Sequence, residues 1–438
     1  MTYADRLRVA WFSPLPPVRS GIAAYSAEIL PALAADHVIE PIAESNAHDF
    51  VWQARRNPFD LVVYQLGNAP CHDYMWAYLA LYPGLVVLHD ARLHHARARL
   101  LLNQKRFDDY RREFHYDHPD APPGFAEYAV EGLGGSIYYF WPMLRVAMQT
   151  ALAVAVHNPR VAADLREQYR GVAVDTIRMG VPRKAPADDA ERARVRRDLA
   201  LPADAIVFAV FGKVTSEKRL GPILAALGTL VAEGRNAYLL LVGDRDGYTT
   251  LGDELARHGV VDRVRVTGFV PDDQIGAHLD AADVGLCLRW PTAGETSASW
   301  LRCLAAARPT VISDLAHLAD IPTVDPRDWR TRSLRDPVAV AIDLMDESRS
   351  LLLAMRILAD DPPLRKRLAR SGHEYWAAHH TLEAMAEDYR RVLPAAAARP
   401  AQRVADLPAH FTEDHSSLTR RITDQFGVDL GLKLGARS

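Results

Sequence analysis

The chain has 438 residues, too many for one ordinary hydrophobic core, and the length implies two or three domains. With 49% apolar and 24% charged residues it has a globular composition, and a formal net charge of -3 excludes any general attraction to nucleic acid or anionic membrane. The three cysteines, Cys71, Cys287 and Cys303, form no Cys-x-x-Cys pair and read as reduced structural thiols, which suits the cytoplasm.

The N-terminus runs straight into a strand-like segment with no basic-then-apolar leader, and no window approaches the ~20 apolar residues of a membrane span. Arg8–Phe12 reads as a strand, followed by a Pro/Gly-rich loop to Gly21 and a helix from about Ile22 to Ala35. Leu61–Tyr64, Leu85–Leu88 and Ala151–Val156 are further short apolar runs with helical patterns between them. Such continuous runs suit parallel strands covered on both faces. From Asn103 to Met148 the pattern changes to charged, then Pro-rich, then aromatic (Tyr138-Tyr-Phe-Trp141), and a helical insertion is expected. The aromatic run can pack on its host domain, or face an acceptor or a membrane surface.

The alternation then restarts. Strands are predicted at Ala205–Phe211, Tyr238–Val242, Val264–Thr267, Val284–Leu288 and Thr310–Ser313. Helices are predicted at Leu220–Glu233, Gln274–Ala281 and Ser297–Ala307. The boundary between the two halves is expected near Pro182 to Asp198. We therefore divide the chain into a first Rossmann-like domain (1–188), a second (189–375), a C-terminal helix (376–394) that can cross back to the first, and a linker and tail (395–438). Pro394-Ala-Ala-Ala-Ala-Arg-Pro-Ala401 reads as the linker. Two doubly wound domains in tandem leave a cleft, and ligands in such sheets sit beyond the carboxyl ends of the strands.

Four segments at those ends can carry chemistry. In Phe211-Gly-Lys-Val-Thr-Ser-Glu-Lys-Arg219, Gly212 permits a tight turn while Lys213 and Lys218 add charge near a helix start, an arrangement suited to a diphosphate or simply to solvent; it is not a Walker loop. In Arg289-Trp-Pro-Thr-Ala-Gly-Glu-Thr-Ser297, Gly294 lets backbone approach a ligand, Thr296 or Ser297 can cap the following helix, and Glu295 can accept from sugar hydroxyls. Gly21 stands between the first strand and the first helix, where it can meet a phosphate or merely make a turn. His89-Asp90 ends a strand and can orient a hydroxyl or stabilise developing charge. His94 and His95 follow, yet no third and fourth ligand accompany them, and no metal is expected. A G-x-S-x-G elbow and a basic stripe interleaved with aromatics are both absent from the sequence, which disfavours a serine hydrolase and a nucleic-acid binder.

Together these segments resemble glycosyltransferase family 4, retaining nucleotide-sugar-dependent enzymes of the GT-B fold. The resemblance runs from about Arg8 to Leu393. It rests on the Gly21 loop, Leu88-His-Asp90, Arg178-Met-Gly-Val-Pro182, the Gly212…Lys218 loop, Val242-Gly-Asp244, Gly268-Phe-Val-Pro271 and the stretch from Arg289 to Pro309. It implies an α/β fold of two Rossmann-like domains facing a cleft, with donor in the second and acceptor in the first. It further implies that Lys213 and Lys218, with the backbone at Gly21 and Gly212, hold the donor diphosphate. Val270 in its loop would flank the base, and Gly294, Glu295, Thr296 and Ser297 would hold the transferred sugar. His89 and Asp90 would stand beside that sugar, so His89, Asp90 and Glu295 are the catalytic candidates. The family carries two glutamates spaced as Gly294 and Arg302 are here, the second on ribose. In this chain Glu295 falls one place late, and Arg302 can pair instead with phosphate or with Glu295.

The implied reaction is a front-face transfer in which the leaving diphosphate helps deprotonate the acceptor, with no obligatory metal and no cofactor beyond the nucleotide-sugar substrate. The acceptor is a glycan, a lipid-linked molecule or a small molecule. No nucleic-acid partner is expected, and peripheral membrane contact stays open. The alternatives are a non-catalytic nucleotide-sugar binder of the same fold, or another enzyme of that fold such as a sugar-nucleotide epimerase.

Overall fold

The computed structural model describes residues 6–183, 188–245, 248–330, 335–402, 404–413 and 417–427. Residues 184–187 of the expected domain boundary, and 403, 414–416 and 428–438 of the expected tail, lie outside these. Two parallel sheets organise the chain. The first contains β1 (Arg8–Phe12), β2 (Val38–Ile42), β3 (Leu61–Leu66), β4 (Leu85–Leu88), β5 (Ala153–Val156) and β6 (Val174–Thr176), in the order β2-β1-β3-β4-β5-β6. The second contains β7 (Ile206–Phe211), β8 (Ala237–Val242), β9 (Val264–Val266), β10 (Val284–Cys287), β11 (Thr310–Ser313), β12 (Thr323–Val324) and β13 (Ala339–Ile342), in the order β12-β13-β11-β10-β7-β8-β9. The central strands are buried along their whole length because helices cover both faces, which is why they read as unbroken apolar runs.

Sequence periodicity left four strands unread, for two physical reasons. β6 and β12 are too short to show a period, with three and two residues. β2 is a half-exposed edge strand with Pro41 inside it, and an edge is where proline's missing N–H is tolerated. β13 is short and alanine-rich. The expected linker is also corrected. The helix Leu382–Ala397 continues through Pro394, since Val392, Leu393 and Ala396 stay buried and Ala398 N closes on Pro394 O at 3.1 Å. That burial offsets the cost of an interior proline, about 3 kcal/mol.

The helix Pro362–His379 runs through position 376, and the chain breaks at His380 and Thr381. There it crosses the segment linking the two sheets: Val181 N donates to His380 O at 3.0 Å, and a Cβ on Gly180 would lie 2.4 Å from Thr381 O. Only a residue without a side chain fits that crossing. The Leu382–Ala397 helix then lies on the first domain. Tyr389 meets Tyr25 through their hydroxyls at 2.7 Å, and Arg178 forks Asp388. One apolar cluster consequently runs from Trp11 and Tyr25 through Tyr389 to Trp300 and Leu304 of the second domain.

The insertion folds as short helices (Phe107–Asp117, Phe125–Val130, Ile137–Phe140, Arg145–Thr150) around Tyr110, Phe114 and Met143. Its aromatic run divides. Tyr138 packs on His94 and His95 and Trp141 on Phe125, within the host domain, whereas Tyr139 and Phe140 turn toward the second domain. Beyond the linker position, His410 and Phe411 dock on Trp76 and on the ion pair of Arg97 with the insertion's Glu113. Among the described residues no helix is long and apolar enough to cross a membrane.

Candidate functional site

The strand order reverses between β1 and β3 in the first sheet and between β7 and β10 in the second. Loops leaving those strands diverge and open a crevice. The two crevices face each other across a cavity of about 250 Å³, lined by Gly21, Glu28 and Asp90 on one side and Glu295, Thr296 and Arg302 on the other. The first helix, Gly21–Ala34, begins at this cavity with Ser20 as its cap, Oγ accepting from Ile22 N at 3.2 Å. The helix Ala298–Ala305 begins there too, with Ser297 Oγ accepting from Trp300 N at 3.2 Å. Two helices thus direct their positive ends at one space.

The segment from Arg289 to Ser297 is fixed chiefly by Glu295. One carboxylate oxygen takes Arg289 Nε at 2.7 Å, and the other accepts from Thr292 Oγ1 and Ala293 N, both at 2.8 Å. The backbone is pinned to its surroundings by Arg289 N donating to Ser313 Oγ at 3.0 Å and Trp290 N to Glu217 O at 2.8 Å. Gly294 has φ of +76°, and a Cβ on it would come within 3.2 Å of Ala91 Cβ in the opposite domain. That close approach allows Ala91 N to donate to Ala293 O at 2.8 Å, a main-chain bond across the cleft. Thr296 is different: its buried hydroxyl has no hydrogen-bond partner among the described residues. A buried hydroxyl left unpaired is costly, and here it lines the cavity where an incoming group can pair it.

Lys218 is turned inward. Its ammonium donates to the Phe211 carbonyl, under Gly212 and beside Ser299 in the first turn of the Ala298–Ala305 helix. Burial and then the neighbouring Arg289 charge lower it to about 7. Lys213 stands exposed on the same loop. The loop is also held from the insertion, where Tyr139 donates its hydroxyl to Glu217 Oε1 at 2.6 Å. Val270 is half-buried in the second domain, and the neighbouring Phe269 ring carries the Arg19 guanidinium at 4.3 Å, a second contact between the domains.

His89 lines the cavity with both ring nitrogens already engaged. Nε2 meets the Gln65 side chain at 2.8 Å and Nδ1 meets His157 Nε2 at 3.3 Å, while His157 Nδ1 lies 2.8 Å from the Ile177 carbonyl. Burial holds His89 well below the usual histidine range and His157 at about 4, so both rings are neutral. Each neutral ring carries one proton. His157 Nδ1–H must donate to Ile177 O and His89 Nε2–H to Gln65 Oε1, which leaves the lone pairs of His89 Nδ1 and His157 Nε2 facing each other at 3.3 Å. Gln65 continues to Tyr389 at 3.0 Å. The His89 ring thereby braces the strand end through Gln65, with its Nδ1 turned to His157.

Asp90 is better placed for that work. Asn68 N donates to its Oδ2 at 2.8 Å, and burial, followed by the Glu295 charge, raises it to about 6. Arg302 lines the cavity but does not reach Glu295: its Nη2 pairs with Glu28 Oε1 of the first helix at 2.5 Å. The expected pairing with Glu295 is excluded because Arg289 already occupies that carboxylate. Glu28 and Asn68 went unnoticed in the sequence. For Glu28 a signal existed, since it stands two turns beyond Gly21 on the same helix face.

Two helix ends, Arg302 and carboxylates able to accept from hydroxyls around one cavity suit a polyhydroxylated ligand that carries an anionic group. Comparison with known proteins agrees. Residues 205–341 match the family model described as glycosyl transferases group 1. The chain is 29% identical over 261 residues to the 2-deoxystreptamine glucosyltransferase of Streptomyces kanamyceticus, covering 58% of this chain and 62% of that one. It is 31% identical over 239 residues to the lipopolysaccharide core biosynthesis glycosyltransferase LpsD of Rhizobium meliloti (strain 1021), covering 53% and 60%. The chain therefore spans about three fifths of the length of these curated relatives. Among solved structures, sucrose-phosphate synthase from Thermosynechococcus elongatus superposes with a TM-score of 0.63 at 16% identity, over 89% of this chain and 100% of that one. Anabaena Alr3699/HepE in complex with UDP-glucose gives 0.61 at 12%, over 89% and 100%. The likeness shows the fold, which is GT-B: two Rossmann-like domains about a central cleft.

Proposed function

We propose that this chain is a group 1 glycosyltransferase that moves a sugar from a nucleoside diphosphate sugar to an acceptor hydroxyl with retention of anomeric configuration. One observation carries the reading. The amide ends of two helices from two domains, Gly21–Ala34 and Ala298–Ala305, converge on a single cavity that Glu295 and Thr296 also line.

In this reading the diphosphate lies against the two helix ends with Lys218 beside it, and the transferred sugar lies against Thr296 and the Gly294 backbone. The bond from the anomeric carbon to the diphosphate oxygen breaks, and a bond to the acceptor oxygen forms on the same face. The acceptor proton passes to the departing diphosphate. Charge accumulating on that leaving group is what the helix amides and Lys218 are placed to stabilise. Asp90 borders the sugar from the acceptor side and accepts a hydrogen bond from the acceptor hydroxyl as it approaches. One relative is a 2-deoxystreptamine glucosyltransferase and another a lipopolysaccharide core glycosyltransferase, and one HepE complex contains UDP-glucose. The acceptor class proposed here goes no further than a hydroxyl-bearing glycan, lipid-linked saccharide or small molecule.

The test is incubation with UDP-, GDP- and ADP-glucose, reading both nucleotide release and direct binding. One nucleotide is expected to bind and to be released slowly without acceptor. Absence of binding by all three would overturn the proposal.

A further inference from the structure

Glu28 lies seven positions beyond Gly21, close to two helical turns, so it stands below the amide end of its helix on the face that lines the cavity. Arg302 Nη2 grips Glu28 Oε1 from the opposite domain. Neither side chain is sealed off, with 19% and 16% of their surfaces exposed, enough for a ligand to reach them. The second oxygen of Glu28 has no hydrogen-bond partner among the described residues. Asp272, which opens the helix behind the Gly268–Pro271 loop, is near enough for its charge to act on Glu28. On that side, too, Arg19 lies on Phe269. Glu28 therefore stands between the helix ends, where a diphosphate would lie, and the loop against which a base would rest.

We propose that Glu28, held by Arg302, reads the 2′,3′-diol of the donor's ribose, so that the first domain supplies a specificity-determining contact to the nucleotide. The inference rests on the transferase reading above. A carboxylate accepts from two adjacent hydroxyls, and it does so best when one oxygen is already fixed by a guanidinium, which removes its rotational freedom. A ribose set between diphosphate and base brings its diol to this height on the cleft wall. The arrangement also makes nucleotide binding depend on both domains, since the carboxylate belongs to one and the guanidinium orienting it to the other.

The experiment is calorimetric titration of the full chain with UDP, GDP and ADP and with their 2′-deoxy counterparts, for wild type and Glu28→Gln. Wild type is expected to bind its preferred ribonucleotide about tenfold more tightly than the 2′-deoxy form, the effect of one charge-assisted hydrogen bond in a partly exposed site. Glu28→Gln is expected to lose that preference by weakening the ribonucleotide, with the deoxy form within about twofold of wild type. A preference that survives in Glu28→Gln overturns the proposal, as does equal weakening of both forms, which would make the pair only a tie between domains. Should thermal unfolding show Glu28→Gln to be misfolded, Arg302→Lys leaves Glu28 in place without the guanidinium that orients it. Its preference is then expected to fall at least about threefold, and an unchanged preference overturns the proposal. A wild type that binds none of the three nucleotides overturns the transferase reading itself, a result distinct from binding without ribose discrimination.

Discussion

The most demanding prediction concerns Lys218 and pH. Its ammonium is held at about 7 by burial and by Arg289, so near neutrality the folded protein carries a mixture of charged and neutral Lys218. A diphosphate keeps its charge above pH 7, so the lysine decides how attraction changes there. If only the charged form binds, affinity follows the protonated fraction: about one half at pH 7, about one tenth at pH 8 and about one hundredth at pH 9. Affinity for UDP, or whichever of UDP, GDP and ADP binds, should therefore fall about fivefold from pH 7 to 8 and about tenfold more from pH 8 to 9. Bound diphosphate raises the lysine above its free value, so binding at pH 8 takes up close to one proton. Calorimetry in two buffers of different ionisation enthalpy measures that proton directly. Lys218→Met should bind weakly at every pH, with a flat profile and no uptake. An affinity unchanged between pH 7 and 9 in wild type would refute the reasoning, as would equal proton uptake in Lys218→Met. In either case Lys218 serves only to hold the Phe211 carbonyl.

Three further outcomes follow. Thr296→Val replaces a buried, unpaired hydroxyl with an isosteric methyl; thermal unfolding should show unchanged or slightly higher stability, by up to about 1 kcal/mol, while the donor KM rises several-fold. Tyr139→Phe removes the 2.6 Å bond from the insertion to Glu217; stability should change by no more than about 1.5 kcal/mol, but turnover should fall because the loop carrying Lys218 loses an anchor, and unchanged turnover would make the contact incidental. Stability should also fall on acidification. His72, His157 and His380 are held at about 4 and His94 at about 3, all depressed by burial, so each contributes stability that is complete above the unfolded value near 6.5 and is lost as pH falls toward 4. Asp90 at about 6 and Asp117 at about 7 act in the opposite sense between their unfolded and folded values, but they are fewer. Chemical denaturation at pH 7 and pH 5 should show a loss of at least about 1 kcal/mol per pH unit; a flat profile would mean that these rings reach water.

Much of the fold was legible because burial on both faces of a parallel sheet leaves an unambiguous apolar run. Ile206–Phe211 and Leu85–Leu88 are of that kind, and the reading found them within a residue. What escaped was fixed by contacts distant in sequence. Val38–Ile42 is a strand because β1 lies beside it, despite Pro41. The helix passes Pro394 because its apolar face rests on the first domain. The insertion's aromatics showed that something packs there; only the fold shows Tyr139 reaching Glu217.

The site was legible as positions and much less so as roles. Gly21, Asp90, Glu295 and Thr296 do meet at one cavity, because strand ends and helix starts are local features that a sequence displays. A side chain's role depends on which partner takes it first, and that is settled by the fold. Glu295 was read as free to accept from a sugar, yet Arg289, Thr292 and Ala293 already occupy it, so its first effect is to shape the loop. Arg302 was read as a partner for phosphate or Glu295, and Glu28 holds it instead. The two findings have one cause. With Arg289 satisfying Glu295 inside the second domain, Arg302 is left to reach across the cleft, and the carboxylate that meets it comes from a helix no local pattern connects with this segment. A substitution that reads as the loss of an acid on the Ala298–Ala305 helix therefore leaves an acid in the cleft, on the opposite wall.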